Sequence, residues 1–424
     1  MSFKRFDCYS WVVAFLLIFS LLLIKDISSF FIGCGGISLV NDFFFFDSIS
    51  FYLSLLSICI WLILLFYINC LSSLTVIIVS FSVAFSILCY SCSNSLLFWF
   101  FYEMSILCLL FLLVKESPYS ERYIATWYLL GYVVVTSLPM LACIFYISLS
   151  FGTFNIFGWQ SEQGIHVPEG LFVFLAFLFV TKIPLFPFHV WLPIVHAEAS
   201  SIVSVCLSGF IMKLGILGGF RLCYSVIPEY VFFNFYVLFL LAFSVSFFFS
   251  ACRELDGKRW LAFLSLSHII IPILCLCSGL FDNVSVSFLY CLGHGLSAGV
   301  TFLLLWIMYD VTGTRNWFLV KHCVSNSLFF RCCCVFSLCT VASLPPTLQF
   351  FSEVSVFYSS GFVSFFFLLL FLVYLFFGGL VPIFVLGVVL TRHYSIGFGS
   401  GSIFSGICSV VFLVFWSFIL FVLV

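Results

Sequence analysis

The chain has 424 residues, of which 64% are hydrophobic, 21% aromatic and 7% charged, with a formal net charge of -1 and a mean hydropathy of +1.32. A soluble domain is about a quarter charged, whereas here apolar runs of about 20 residues, the length that crosses a bilayer core as a helix, recur from end to end. The composition excludes a water-soluble enzyme, and the absence of a basic surplus excludes a nucleic-acid partner.

Taken in chain order, the pattern predicts an all-α polytopic membrane protein with about thirteen transmembrane helices. Lys4 and Arg5 precede an apolar run from Tyr9 to Ile24 that has the look of a secretory signal. The many spans that follow make it a first transmembrane helix at 9–31, interrupted by Lys25 and Asp26. The next spans are 47–69, 72–92, 95–114, 123–149, 170–197, 200–221, 228–250, 260–281, 284–309, 329–365, 367–391 and 402–424. The boundary near 366 falls inside a continuous Phe run.

Loop charge tests this count. With the N-terminus on side one, side one carries Lys4, Arg5, Lys115, Arg122, Arg253, Lys258, Arg259, Arg315, Lys321, Arg331 and Arg392. Side two holds Arg221 and Lys25 beside Asp42, Glu162, Glu169, Glu229 and Asp282. By the positive-inside rule, side one is the cytoplasmic or matrix side.

Two spans contain helix breakers: Pro184, Pro187 and Pro193 in the sixth, Pro345-Pro346 in the eleventh. Interrupted helices at corresponding positions point to a transport site. Helices 3–7 and 8–12 form two sets of five, each with its broken helix fourth. Five is odd, so the second set has inverted topology. The chain therefore divides into N-terminal helices (1–70), a first five-helix repeat (71–225), a second, inverted repeat (226–392) and a C-terminal helix (393–424).

Without the loop charges, Glu103, Lys182, Lys213 and Glu353 remain near span centres. An unpaired charge there costs about 3 kcal/mol or more, so such groups face protein or water and pair. The alternative, snorkelling to an interface, suits helix ends rather than these positions. His268 and His294 also lie within spans. His294 is flanked by Gly293, Gly295, Ala298 and Gly299, small residues that admit a close neighbour or water, and it ranks above His268, which sits nearer the start of its span. Lys182, His189 and His196 are spaced to share one helical stripe, which the intervening prolines break. These histidines rank below Lys182, and Glu198 lies too near its helix end.

Twenty cysteines include Cys89-Tyr-Ser-Cys92 and Cys332-Cys333-Cys334. No second pair stands at zinc spacing, and most others sit in apolar runs as small hydrophobes, so neither a metal site nor a structural disulfide is expected. The 63 phenylalanines fit a T-rich organellar coding strand, and mitochondrial encoding is the expectation. Neither a Gly-rich dinucleotide fingerprint nor a four-cysteine cluster motif is present. His196-Ala-Glu198 is not the H-E-x-x-H of a metalloprotease.

Five motifs in order resemble the antiporter-like membrane subunits of respiratory complex I. They are Phe101-Tyr-Glu103 with Glu121-Arg122 and Ser137-Leu-Pro139; Lys182-Ile-Pro-Leu through His189-Val-Trp-Leu-Pro to His196-Ala-Glu-Ala199, with Met212-Lys-Leu-Gly215 and Arg221; Asp256-Gly-Lys258 through His268; His294-Gly-Leu-Ser-Ala-Gly299; and Leu344-Pro-Pro-Thr347 with Ser352-Glu-Val-Ser355. The resemblance spans residues 95 to 360. It implies a fourteen-helix bundle with two inverted repeats, against which the expectation for this chain is one helix fewer before Asp47. Two further departures stand after the break, where Ser200 replaces a proline and Ile194 a basic residue.

By resemblance, Glu103 and Lys182 form the first half's acid–base pair, Lys213 and His294 link the halves, and Glu353 is the terminal proton carrier. A glutamate at 353 resembles the chain-4 branch; the sister chains 2 and 5 usually carry lysine. The implied function is proton translocation in the membrane arm of NADH:ubiquinone reductase, in the mitochondrial inner membrane. Chains 2 and 5 are the expected neighbours, and membrane lipids, cardiolipin among them, the expected surroundings. NADH, FMN, iron–sulfur clusters and ubiquinone are expected in other subunits and no cofactor in this one. A free-standing cation/proton antiporter is the rival, and a scaffold that has lost pumping a third reading.

Overall fold

The computed structural model describes residues 11–22, 39–40, 43–67, 71–161, 168–224, 226, 233–277, 281–324, 328–391 and 404–423. Lys4, Arg5, Lys25, Asp26, Asp42, Glu162, Glu229 and Arg392, used above for the charge pattern, lie outside the described residues, as does the Asp282 side chain.

Every predicted span has a helical counterpart. Helix α1 is Trp11–Leu22, α2 Ser48–Phe66, α3 Ser73–Ser91, α4 Ser95–Glu116 and α5 Arg122–Phe151. The sixth span is two helices, α6 Glu169–Lys182 and α7 Trp191–Glu198. Then come α8 Ser201–Tyr224, α9 Asn234–Arg253 and α10 Gly257–Cys277, followed by α11 Phe281–Thr312 and a short α12 Trp317–Val324. The eleventh span is again two helices, α13 Leu328–Val341 and α14 Leu348–Val363. Helix α15 is Phe365–Leu390 and α16 Phe404–Ile419. Nine of the described helices are long and apolar enough to cross a membrane unaided. The named strands among the described residues are a two-residue antiparallel pairing of Leu39–Val40 with Phe45–Phe46, too short to alter the all-α architecture expected.

Short polar side chains start these helices by accepting from otherwise unpaired first-turn N–H groups. Asp47 and Ser50 form a reciprocal capping box on α2. Ser72, Asn94, Asp256 and Thr347 cap α3, α4, α10 and α14. Ser364 accepts from Phe367 N and caps α15, which starts at Phe365, two residues before the expected start at 367.

Helix α8 is buried throughout 202–219, whereas α15 buries only 33% of its apolar window. The remainder of α15 presents Phe365, Phe366, Phe376 and Phe384 outward. An apolar surface this wide is unremarkable when the solvent is lipid.

Contacts sort the turns onto two faces. On one, Ser117 Oγ donates to the Glu198 carbonyl, Lys258 Nζ to the Ala199 carbonyl and Arg315 to the Ala197 carbonyl. On the other, Arg221 pairs with Asp47 at 2.9 Å and donates to the Tyr90 and Cys92 carbonyls. The same joint recurs once on each face. Asn94, before α4, bridges Asn155, after α5, and Asp256, before α10, bridges Asn316, after α11.

Candidate functional site

Helix α6 ends at Lys182. Pro184 cannot donate to a preceding carbonyl, and the chain runs through Pro187 and a 3-10 turn at Phe188–Val190 before α7 begins. Pro193 takes no part in the break expected of it. It is the third residue of α7, in the first turn, where proline is tolerated. Lys182 Nζ sits 2.8 Å from Glu103 Oε1 of α4, with side-chain exposures of 0% and 8%. It also donates to the Val133 carbonyl at 3.1 Å and lies 4.5 Å from the centre of the Tyr102 ring. Val133 belongs to a π-turn at Leu130–Val134 in α5, an irregularity that re-aims carbonyls.

Lys213 is fully buried in α8. Its ammonium donates to the Ser208 carbonyl, within a second π-turn at Leu207–Ile211. No carboxylate pairs with it among the described residues.

Helix α11 carries His294 between two glycines. A Cβ at 295 would stand 3.0 Å from the Gly209 carbonyl oxygen of α8 and 2.5 Å from Leu56 Cδ2. A Cβ at 293 would stand 3.1 Å from Gln349 N at the start of α14. The two glycines thus let α11 touch the lysine helix on one side and the second broken helix on the other. The small-residue signal read in the sequence corresponds to this double close approach.

The second break, 342–347, contains Pro345-Pro346 and leads into α14 with Glu353, 3% exposed. Glu353 Oε2 accepts from Ser343 Oγ at 2.6 Å, and Oε1 from Gln349 Nε2 at 3.2 Å and Tyr290 Oη at 3.4 Å. Ser343 has a φ of 46°, a left-handed conformation uncommon outside glycine. Tyr290 Oη also lies 3.2 Å from His268 Nδ1, which is 2.5 Å from Tyr374 Oη. The His268 and His294 rings are 5.5 Å apart. Pro272 lacks the N–H that would bond the His268 carbonyl, and α10 turns at residue 269 accordingly.

The structure brings Glu103 to Lys182, and His268 to Glu353 through Tyr290. His268, ranked below His294 from sequence, makes the hydrogen bonds; the His294 ring nitrogens make none among the described residues. Tyr290, Tyr374, Gln349 and Ser343 were missed. The tyrosines and Gln349 look like ordinary span residues, and Ser343 like a turn residue beside the prolines. His189 packs among Phe186, Phe243 and Phe247, away from both clusters. His196 stacks on Phe302 at 4.9 Å. Cys89 and Cys92 donate to the Phe98 and Asn94 carbonyls rather than to each other.

Lys258 was read as a loop lysine, yet it is 2% exposed. With Arg315 and Ser117 it caps the last carbonyls of α7, where a helix end favours positive charge. Arg315 lies 4.3 Å from the Tyr119 ring centre and 3.5 Å from Asp256. Burial pushes the Tyr119 phenol up to about 12, against the opposing charge of Arg315. Beside these groups a cleft of about 390 Å³ opens, lined among others by Glu116, Tyr119, Ser200, Lys258 and Asp310.

A bundle with two proline-broken helices and ionisable groups buried at each break is a polytopic membrane protein of the kind that holds charge at its midplane. The chain belongs to the NADH:quinone oxidoreductase/Mrp antiporter transmembrane family, whose model matches residues 92–378. It is similar to NADH-ubiquinone oxidoreductase chain 4 of Locusta migratoria, 31% identical over 63% of this chain and 60% of the relative. The corresponding chain of Chlamydomonas reinhardtii is 34% identical over 51% of this chain and 49% of the relative. The chain thus spans less than two thirds of these relatives. A chain of respiratory complex I from Thermus thermophilus with bound NADH shares the fold, with a TM-score of 0.81 and 20% identity over 89% of this chain and 81% of that one.

Proposed function

We propose that this chain is a proton-translocating membrane-arm subunit of a respiratory NADH:ubiquinone oxidoreductase. The buried Lys182–Glu103 pair at the first break carries the reading. An ammonium held by a carboxylate keeps its proton; separation of the pair leaves a buried cation that gives it up. A shift of α4 against α6, driven by a neighbouring subunit, would release the proton toward Lys213 and His294. Glu353, with His268 through Tyr290, would pass one on to side two. Relatives named as NADH-ubiquinone oxidoreductase chain 4 and the family match support the assignment.

Residues 71–225 and 226–392 act as two repeats of opposite orientation, flanked by 1–70 and 393–424. The paired joints Asn94–Asn155 and Asp256–Asn316, on opposite faces, support that division. The setting is the mitochondrial inner membrane, with chains 2 and 5 as neighbours, cardiolipin among the surrounding lipids, and mitochondrial encoding. Redox cofactors and ubiquinone belong to other subunits, so this chain supplies ionisable groups alone.

Replacing Lys182 with methionine in the assembled complex lowers protons translocated per electron; an unchanged ratio sinks the reading. The family description also names an antiporter, which keeps a free-standing cation/proton antiporter in view. Copurification with an NADH-oxidising particle decides between them.

A further inference from the structure

Helix α11 comes against the start of α14 where residue 293 has no side chain: a Cβ there would stand 3.1 Å from Gln349 N and 3.2 Å from its Cα. One turn further along the same stripe of α11 is Ser297. Its hydroxyl is 3.0 Å from Gln349 Oε1, and Gln349 Nε2 is 3.2 Å from Glu353 Oε1. Ser297, Gln349 and Glu353 are all buried. A single buried amide therefore joins the His294 helix to the carboxyl group of the second break.

Hydrogen-bond chemistry fixes which way that amide faces. An ionised carboxylate only accepts, so the amide nitrogen must face it, and the amide carbonyl is left for a hydroxyl. A protonated carboxyl donates, and an amide nitrogen cannot accept. Ser343 Oγ donates to Glu353 Oε2 at 2.6 Å, which leaves Oε1 for the proton. Beside Gln349, Oε1 faces Tyr290 Oη at 3.4 Å, and that hydroxyl also meets His268 Nδ1 at 3.2 Å. Ser297 suits either orientation of the amide. Its single hydrogen has two acceptors at 3.0 Å, Gln349 Oε1 and the His294 carbonyl. When it turns to His294, its oxygen is free to accept from the amide nitrogen.

We infer that Gln349 is a positioning residue whose side-chain amide flips with the proton on Glu353, passing the state of that carboxyl group to the His294 turn of α11. With Glu353 ionised, Nε2 donates to the carboxylate and Ser297 donates to the amide carbonyl. With Glu353 protonated, the carboxyl donates to the amide carbonyl, Nε2 donates to Ser297, and Ser297 donates to the His294 carbonyl. Each arrangement gives both ends of the amide a partner, which a buried network needs. The proton on Glu353 is the only atom gained or lost. Facing this network are His268 of α10, Tyr290 and His294 of α11 and Tyr374 of α15, and Lys213 of α8 lies within electrostatic reach of His294. The inference rests on the reading of Glu353 as a proton carrier.

The test is infrared difference spectroscopy of the purified assembled complex across pH, with glutamine labelled by carbon-13 at its side-chain carbonyl. The Glu353 carboxyl band is the one lost in Glu353→Gln, and the Gln349 band the one lost in Gln349→Met. The two bands are expected to titrate together, and the Gln349 change to vanish in Glu353→Gln. Because coupling is reciprocal, Ser297→Ala should displace the Glu353 midpoint by about one pH unit, a tenfold change in proton affinity. Ser297→Thr, which keeps the hydroxyl, should leave it in place. A carboxyl that titrates beside a silent amide hands its proton's hydrogen bond to Tyr290 and overturns the flip; so does an unmoved midpoint in Ser297→Ala, which needs no change at Gln349. If Glu353→Gln translocates protons normally, the relay reading fails instead, and the paired bands still decide the flip.

Discussion

Lys182 Nζ and Glu103 Oε1 are 2.8 Å apart, on helices far separated in sequence, with the lysine side chain wholly shielded. Nearby, the Val133 carbonyl holds the ammonium from a third helix. Removing one partner of a buried pair strands the other and costs about 3–5 kcal/mol; removing both costs less. Glu103→Gln should therefore destabilise the assembly more than the double change Glu103→Gln with Lys182→Met. Thermal melting in detergent reads the difference, and equal losses would contradict a paired lysine.

Tyr290 joins His268 to Glu353, with Oη 3.2 Å from the ring and 3.4 Å from the carboxylate. A hydrogen bond to a charged group contributes about 1.5–3 kcal/mol, roughly a tenfold change or more. Tyr290→Phe should slow coupled turnover by about that factor while leaving assembly intact, as seen by native electrophoresis. Normal turnover would remove Tyr290 from the path.

Gly295 has room for no side chain. Alanine there meets the Gly209 carbonyl at 3.0 Å and Leu56 at 2.5 Å, and Leu56 alone can move aside. Overpacking of this kind costs about 1–3 kcal/mol. Gly295→Ala should lower the melting temperature, whereas Gly379→Ala, which meets nothing within 4 Å, should not. Equal melting would mean that α8 and α11 are not in close contact.

Much of this was legible in the sequence because a membrane makes every charge conspicuous. Glu103, Lys182, Lys213 and Glu353 were visible as ionisable groups in apolar spans, and the prolines marked both breaks. What stayed hidden was geometry. Nothing in the sequence distinguishes Tyr290 and Tyr374 from the other sixteen tyrosines of the eighteen present. Lys258 read as a loop charge because its position at the start of α10 gives no sign that the α7 carbonyls bury it. His268 ranked below His294 because it sits nearer the start of its span, while its relation to Pro272, four residues on, went unused. Pro193 was credited with a break because proline chemistry is the same in a first turn as in a helix interior; only position separates the two outcomes.

The most direct measurement is the number of protons translocated per NADH-derived electron by the assembled complex carrying Lys182→Met, in sealed vesicles, with electron transfer followed in the same sample. The account predicts that electrons still reach ubiquinone while the proton ratio falls. A full proton ratio with Lys182 gone would contradict it.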